Sequence, residues 1–133
     1  MLVAPPLDAD VFSKVITKFA RAINAFNAQQ TDVIKELSSP NAVLYKVSSG
    51  EPYRDAEGIQ KYLEEYNKDG NKRSFTPLTV ALHPPILPTS VRGLALWSRE
   101  NEDTITVRYE FHFDRADDYK VTLMWAAPAV SVG

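Results

Sequence analysis

The chain has 133 residues, 44% of them apolar and 24% charged, a composition that fits a globular protein able to bury roughly two-thirds of its unfolded surface. Its 15 Lys and Arg against 17 Asp and Glu leave a net charge of -2, so no cationic footprint for a nucleic acid is present. Cysteine is absent, which removes disulfides, thiol nucleophiles and zinc-thiolate sites.

Met1 to Asp10 lacks a basic start followed by an apolar run, and no stretch of about 18 apolar residues occurs, so a soluble, cytoplasmic protein is expected. Phe12, Val15, Ile16, Phe19, Ala20, Ile23 and Phe26 recur at three- and four-residue steps and predict a helix over 9–27, with Asp8 or Asp10 as its cap. Thr31 offers a cap for a short second helix carrying Val33, Ile34 and Leu37, which Pro40 ends. A short strand is expected over 41–47, with Ser48-Ser49-Gly50 as a turn. Asp55 opens a third helix over 56–68, whose Ile59, Tyr62, Leu63 and Tyr66 share one face, and Asp69-Gly70-Asn71 closes it.

From there the apolar period changes from 3.6 to 2. Strands are predicted over 75–83, 92–100, 104–113 and 119–127, the last three as a meander. Residues 101–103 and 115–118 are its turns, while Pro84, Pro85 and Pro88 force a loop. No linker separates the helical and strand-rich halves, so 1–133 reads as one domain.

The strand over 104–113 orients the sheet. Ile105, Val107, Tyr109, Phe111 and Phe113 fall on one face, and Arg108, Glu110, His112 and Asp114 on the other. The apolar face is expected to meet the helices, joined by Leu94 and Leu96 and by Leu78, Val80 and Leu82. Trp97 is expected on the ionic side near Arg108. Tyr119, Val121, Leu123 and Trp125 join the apolar side if the last turn is odd or a bulge intervenes. The expected fold class is α+β, with three N-terminal helices packed on a curved antiparallel sheet.

This order of elements, with Tyr53-Arg54-Asp55-Ala56-Glu57-Gly58-Ile59 leading into Tyr62-Leu63, resembles the NTF2-like superfamily over nearly the whole chain. The family includes ketosteroid isomerases, SnoaL-type polyketide cyclases, scytalone dehydratase and limonene epoxide hydrolase. The resemblance implies a cone whose sheet wraps a pocket beneath the first helix. The chain departs from the isomerases: Tyr45 and Lys46 stand where they carry a carboxylate base, and no Tyr occurs over 8–27. The two histidines, His83 and His112, fall on the side away from Leu82 and Phe111. Arg108-x-Glu110 reproduces an Arg-x-acid spacing found in the epoxide hydrolases, as any charged strand face would.

A small apolar or aromatic ligand is expected in a pocket lined by Phe19, Tyr45, Tyr62, Tyr66, Leu96, Tyr109, Phe111 and Trp125, where each phenol offers a polar handle. A filled aromatic core is the competing reading. If the pocket is catalytic, in an isomerase, dehydratase or cyclase, the candidates are His112, Glu110 and Tyr45, with Tyr109 as a further donor. Trp97, Arg108, His112 and Met124 are expected to form a homodimer contact through the ionic sheet face. A non-catalytic association module is the third reading. No phosphate loop, nucleophile elbow or metal-spaced cluster is found, so neither cofactor nor metal is expected.

Overall fold

A computed structural model describes residues 9–45, 51–68, 73–83, 87–100 and 102–129, with the backbone alone at 83, 87 and 88. Helix α1 spans Ala9–Asn27 and buries Val11, Val15, Phe19, Ala22, Ile23 and Ala25. That stripe is rotated slightly from the one predicted, so Phe12 and Ala20 are exposed while Val11, Ala22 and Ala25 are covered. Asp10 lies in the first turn and pairs with Lys14 at 3.4 Å; it is not the cap, and Asp8 lies outside the described residues. Helix α2 covers Thr31–Leu37 with Gln30 at its N-cap position, so the predicted Thr31 cap is not formed.

Strand β1, Ser38–Tyr45, starts directly after α2 and runs through Pro40; the rest of the predicted 41–47 strand and the turn at 48–50 lie outside the described residues. It pairs with β2, Pro52–Arg54, a strand the sequence reading missed. Helix α3, Ala56–Tyr66, is capped as expected: the Asp55 carboxylate accepts from Gly58 N at 2.7 Å. Asp55 N–H also donates to Ala42 O at 2.8 Å, tying the start of α3 to β1.

The predicted strand over 75–83 is two strands, β3 at Arg73–Pro77 and β4 at Ala81–His83. Between them the chain bulges off the ladder, which leaves Leu78 and Val80 exposed instead of on the apolar face. Strand β5, Leu87–Arg99, begins earlier than predicted and passes through Pro88, beside a register shift in its pairing with β4. Strands β6, Ile105–Asp114, and β7, Lys120–Pro128, complete the meander, joined by a 3-10 turn at Arg115–Asp117. The sheet runs β2-β1-β7-β6-β5-β3, with β4 also on β5. It is mixed rather than wholly antiparallel, because β1 pairs parallel with β7.

On β6 the alternation holds as read: Val107, Tyr109, Phe111 and Phe113 are buried toward the helices, and Arg108, Glu110, His112 and Asp114 face away. Phe19 of α1 stacks on Tyr109 at 5.5 Å and meets Phe111 edge-on at 5.3 Å, which fixes α1 across this inner face. On β5 the expected parity is reversed. Trp97 pairs with Ile105 and Ala95 with Val107, so an odd number of residues separates Trp97 from Ile105 and odd positions share a side. Val91, Ala95 and Trp97 therefore point inward, and Leu94 and Leu96 lie on the outer face beside Arg108 and Thr106.

A bulge at Thr122 splits β7. His112 pairs with Leu123 and Phe113 with Val121, leaving Thr122 as the extra residue, its hydroxyl on His112 O at 3.3 Å. Tyr119 and Val121 stay inside as expected, whereas beyond the bulge Met124 and Ala126 turn inward and Leu123 and Trp125 take the side of His112 and Glu110. No helix among the described residues is long and apolar enough to cross a membrane.

Candidate functional site

The three helices cover the inner sheet face without filling it. A cavity of about 530 Å³ remains, roofed by Ala22, Ile23 and Phe26 of α1 and Ile34 of α2, and walled by Tyr62, Leu63 and Tyr66 of α3. Its floor is Phe111, Met124, Ala126 and Trp97, and Phe75 closes one flank. Strand register places Tyr45, Pro128, Ile105 and Arg99 at one end of the sheet. The most exposed lining residues, Tyr45, Glu102, Ile105 and Pro128, mark the mouth there. The volume is that of a small-molecule site, not of a packing defect.

Aromatic rings form much of this lining and touch one another. Tyr53 stacks on Tyr62 with centroids 3.9 Å apart, Tyr62 meets Tyr66 at 5.7 Å, and Tyr66 meets Trp97 at 6.3 Å. Trp97 is in turn packed by Phe26 at 5.5 Å and Phe75 at 6.4 Å. Asn27 fixes the Phe75 flank, its side chain donating to Phe75 O at 2.9 Å and accepting from Phe75 N at 2.7 Å. Burial, reinforced by the neighbouring phenols of Tyr66 and Tyr53, pushes Tyr62 up to about 12, against the opposing pull of Arg73. The Tyr62 hydroxyl is therefore a neutral donor at ordinary pH, suited to a carbonyl or ether oxygen rather than to proton abstraction.

Of the pocket residues expected from the sequence, Tyr45, Tyr62, Tyr66 and Phe111 border the cavity, and so does Trp125, although its register pairs it with Glu110. Phe19, Leu96 and Tyr109 do not. Leu96 is on the outer face through the register of β5. Phe19 packs between the sheet and a shallower apolar groove of about 420 Å³ on the far side of α1, lined also by Phe12, Ile16, Val80 and Leu82. Tyr109 is buried, burial alone lifts its phenol to about 12, and its hydroxyl donates to Thr79 O at 2.6 Å. It is a structural tyrosine.

Trp97 and Met124, expected on an outer dimer face, are instead cavity residues, because an odd loop and a bulge reset the parity of their strands. Arg108 and His112 do face outward. His112 Nε2 lies 2.9 Å from Glu110 Oε1, with side chains 27% and 22% exposed, on the opposite side of β6 from the cavity. Two of the three catalytic candidates are thus together but outside, and Tyr45 is at the mouth. The side chain of His83 lies outside the described residues. Among the described residues the one acid bordering the cavity is Glu102, and no imidazole does so.

The sequence reading missed Phe26, Phe75, Met124 and Arg99 as lining residues. Phe26 lay on the predicted helical stripe, and its place at the end of α1 nearest the mouth was its signal. Met124 carried none before the bulge was known.

No protein-family model matches the sequence, and no curated protein is similar to it. Solved structures are similar in shape. An LEH-like epoxide hydrolase of M. tuberculosis has a TM-score of 0.72 at 12% identity, over 88% of this chain and 84% of that one. A protein of Shewanella denitrificans assigned as a SnoaL-like polyketide cyclase has a TM-score of 0.73 at 12% identity, covering 86% and 90%. A protein of Kribbella flavida assigned as a ketosteroid isomerase has a TM-score of 0.72 at 7% identity, covering 91% and 82%. Three helices laid across a curved mixed sheet, with the cavity enclosed between them, give this chain the NTF2-like cone fold.

Proposed function

We propose that the chain, acting as one domain in the cytoplasm, binds a small apolar or aromatic molecule in the cavity beneath α1. The observation that carries this reading is the aromatic enclosure of about 530 Å³ with a neutral phenol, Tyr62, on its wall. A core selected only for stability would be expected to close such a void, since each unfilled volume forfeits packing energy.

An isomerase, dehydratase or cyclase activity is the second reading; among the similar structures one carries an isomerase name and one a cyclase name. It would have to use phenols as donors to a developing enolate, because the His112–Glu110 pair is on the other side of the sheet. Binding is the simpler role for this lining.

The outer sheet face supports a homodimer as part of the same reading, with nucleic acid disfavoured by the net charge of -2. Leu94, Leu96 and Leu123 lie there among Arg92, Arg108, Glu110 and Asp114. Alternating signs let a second copy, turned about a twofold axis, oppose unlike charges. Sedimentation tests this: Leu94→Glu should convert a dimer to a monomer, and a wild-type monomer at micromolar concentration would dismiss the contact.

The binding test uses N-phenyl-1-naphthylamine, a neutral aromatic probe whose emission rises in apolar surroundings. Saturable one-to-one enhancement is expected, and Ala126→Trp, which fills the cavity, should abolish it while the melting curve shows a folded protein. Enhancement unchanged in the folded Ala126→Trp variant would place the probe elsewhere and refute the reading.

A further inference from the structure

The cavity and the apolar groove beside it meet at one side chain. Along α1 the groove is lined by Phe12, Ile16 and Ala20, and the cavity is roofed by Ala22 and Phe26. The same division recurs on β3: Phe75 flanks the cavity, and Pro77, two residues on and on the same side of the strand, lines the groove. Among the described residues Ile23 alone borders both spaces. It is 8% exposed, with about 530 Å³ on one side of it and about 420 Å³ on the other.

The residues around Ile23 are held in place. Phe19, one turn earlier on α1, lies against Tyr109 and Phe111, and the Tyr109 hydroxyl is tied to Thr79 O at 2.6 Å. Phe75 meets Tyr109 edge-on at 5.4 Å, and the Asn27 side chain holds both its N–H and its carbonyl. Ile23 itself is branched at Cβ, and a helix leaves such a side chain essentially one χ1 rotamer. It does not swing aside for a ligand. The wall between the two spaces is therefore a stiff one, a single side chain thick at this point, and its position fixes how far an apolar body can advance beneath α1.

We propose that Ile23 is the stop that sets the length of the ligand, so that the cavity takes a compact apolar molecule and gains nothing from an extended chain. The groove stays outside the site because Ile23 closes it off. This inference rests on the cavity being a ligand site and adds the residue that selects for size. A ligand enters at the mouth with its apolar end leading, and that end comes to rest against the Ile23 methyl groups.

The test follows 1-alkanols of increasing chain length as they displace N-phenyl-1-naphthylamine. In the wild type the affinity is expected to climb roughly fourfold with each added methylene, the gain from burying that group, until the chain end reaches Ile23. Past that length it should level off, because further carbons stay in water at the mouth. Ile23→Ala joins the two spaces, so the first alkanol beyond the wild-type levelling point should gain roughly fourfold in the variant. Adding Ala20→Phe, which puts a ring into the groove, should restore the wild-type profile, and Ala20→Phe alone should leave that profile unchanged. Affinity that never levels in the wild type, a levelling point that is the same in folded Ile23→Ala, or a gain that survives the Ala20→Phe plug would each overturn the inference. Truncating a buried residue can unfold a chain, so the wild type carries a second reading by NMR. Nuclear Overhauser contacts from the terminal methyl of the alkanol at the levelling point should reach the Ile23 methyls and not the Ala20 methyl; contacts to Ala20, or none to Ile23, would equally dismiss the stop. Failure of the neutral probe to bind the wild type would instead remove the cavity reading beneath it.

Discussion

Gly93 sits where the chain between β3 and β4 crosses β5, and a single methyl group there should loosen the whole edge of the sheet. A Cβ added at Gly93 would lie 2.1 Å from Thr79 O and 2.8 Å from Thr79 C, both backbone atoms that cannot rotate away. Ordinary contact needs roughly 3.5 Å, so the 78–80 segment would have to retreat by about 1.4 Å. Four hydrogen bonds converge on that segment: Leu78 N and Thr79 N on Leu94 O at 2.8 and 3.2 Å, Leu94 N on Thr79 Oγ1 at 2.9 Å, and Tyr109 Oη on Thr79 O at 2.6 Å. Losing two to four of them, at a net of about 1 kcal/mol each, makes Gly93→Ala cost about 2–4 kcal/mol. For a chain of this length that is a melting temperature lower by roughly 8–15 °C. Thermal unfolding followed by circular dichroism, with urea unfolding as the isothermal check, reads the effect. A fall of less than about 2 °C would refute the close approach.

Alkaline pH offers an independent check on the buried phenols. Tyr62 and Tyr109 are raised to about 12 in the folded protein from 10.0, so each contributes stability that is intact below pH 10 and is lost as pH climbs from 10 toward 12. The double variant Tyr62→Phe/Tyr109→Phe should flatten this alkaline decline in urea midpoints; an unchanged decline would show that these rings do not carry it. Asp55→Ala removes the cap on Gly58 N and should cost about 1 kcal/mol, whereas Asp55→Asn should retain most of the stability; equal losses would argue against capping. Asn27→Ala strips both polar groups from Phe75 and should cost about 1–2 kcal/mol, with faster amide exchange at Phe75 as its local signature. Exchange at Phe75 that stays as slow as in the wild type would contradict the bracket.

Helices and the orientation of the sheet were legible because their signals are local. The stripe of α1, the Asp55 cap and the inward and outward faces of β6 each follow from residues a few positions apart, whose period a packed layer must respect. What was lost was parity between strands. One residue in the β5–β6 connection decides whether Trp97 or Leu96 looks inward, and one bulge residue, Thr122, decides it for Met124 and Trp125. Neither is marked by glycine or proline, so nothing local announces it. The bulge between β3 and β4 was invisible for a related reason: Leu78 and Val80 alternate like core residues, yet Thr79 is drawn out of line by Gly93 and the phenol of Tyr109, both distant in sequence. The candidate site inherits these errors. Tyr62 and Tyr66 lie on a helix with a clear face and line the cavity, while Trp97, Met124 and Leu96 changed sides together with their strands.

Met124 provides the sharpest view of the cavity, since it is one of only two methionines and its side chain is buried in the cavity floor. With methionine methyls labelled by carbon-13, and Met124→Leu identifying its signal, the protein is titrated with N-phenyl-1-naphthylamine and followed by NMR. Entry of the aromatic probe beneath α1 predicts a saturable ring-current shift of the Met124 methyl that tracks the rise in probe emission. Emission that saturates while the Met124 methyl stays fixed would contradict a ligand chamber between the helices and the sheet.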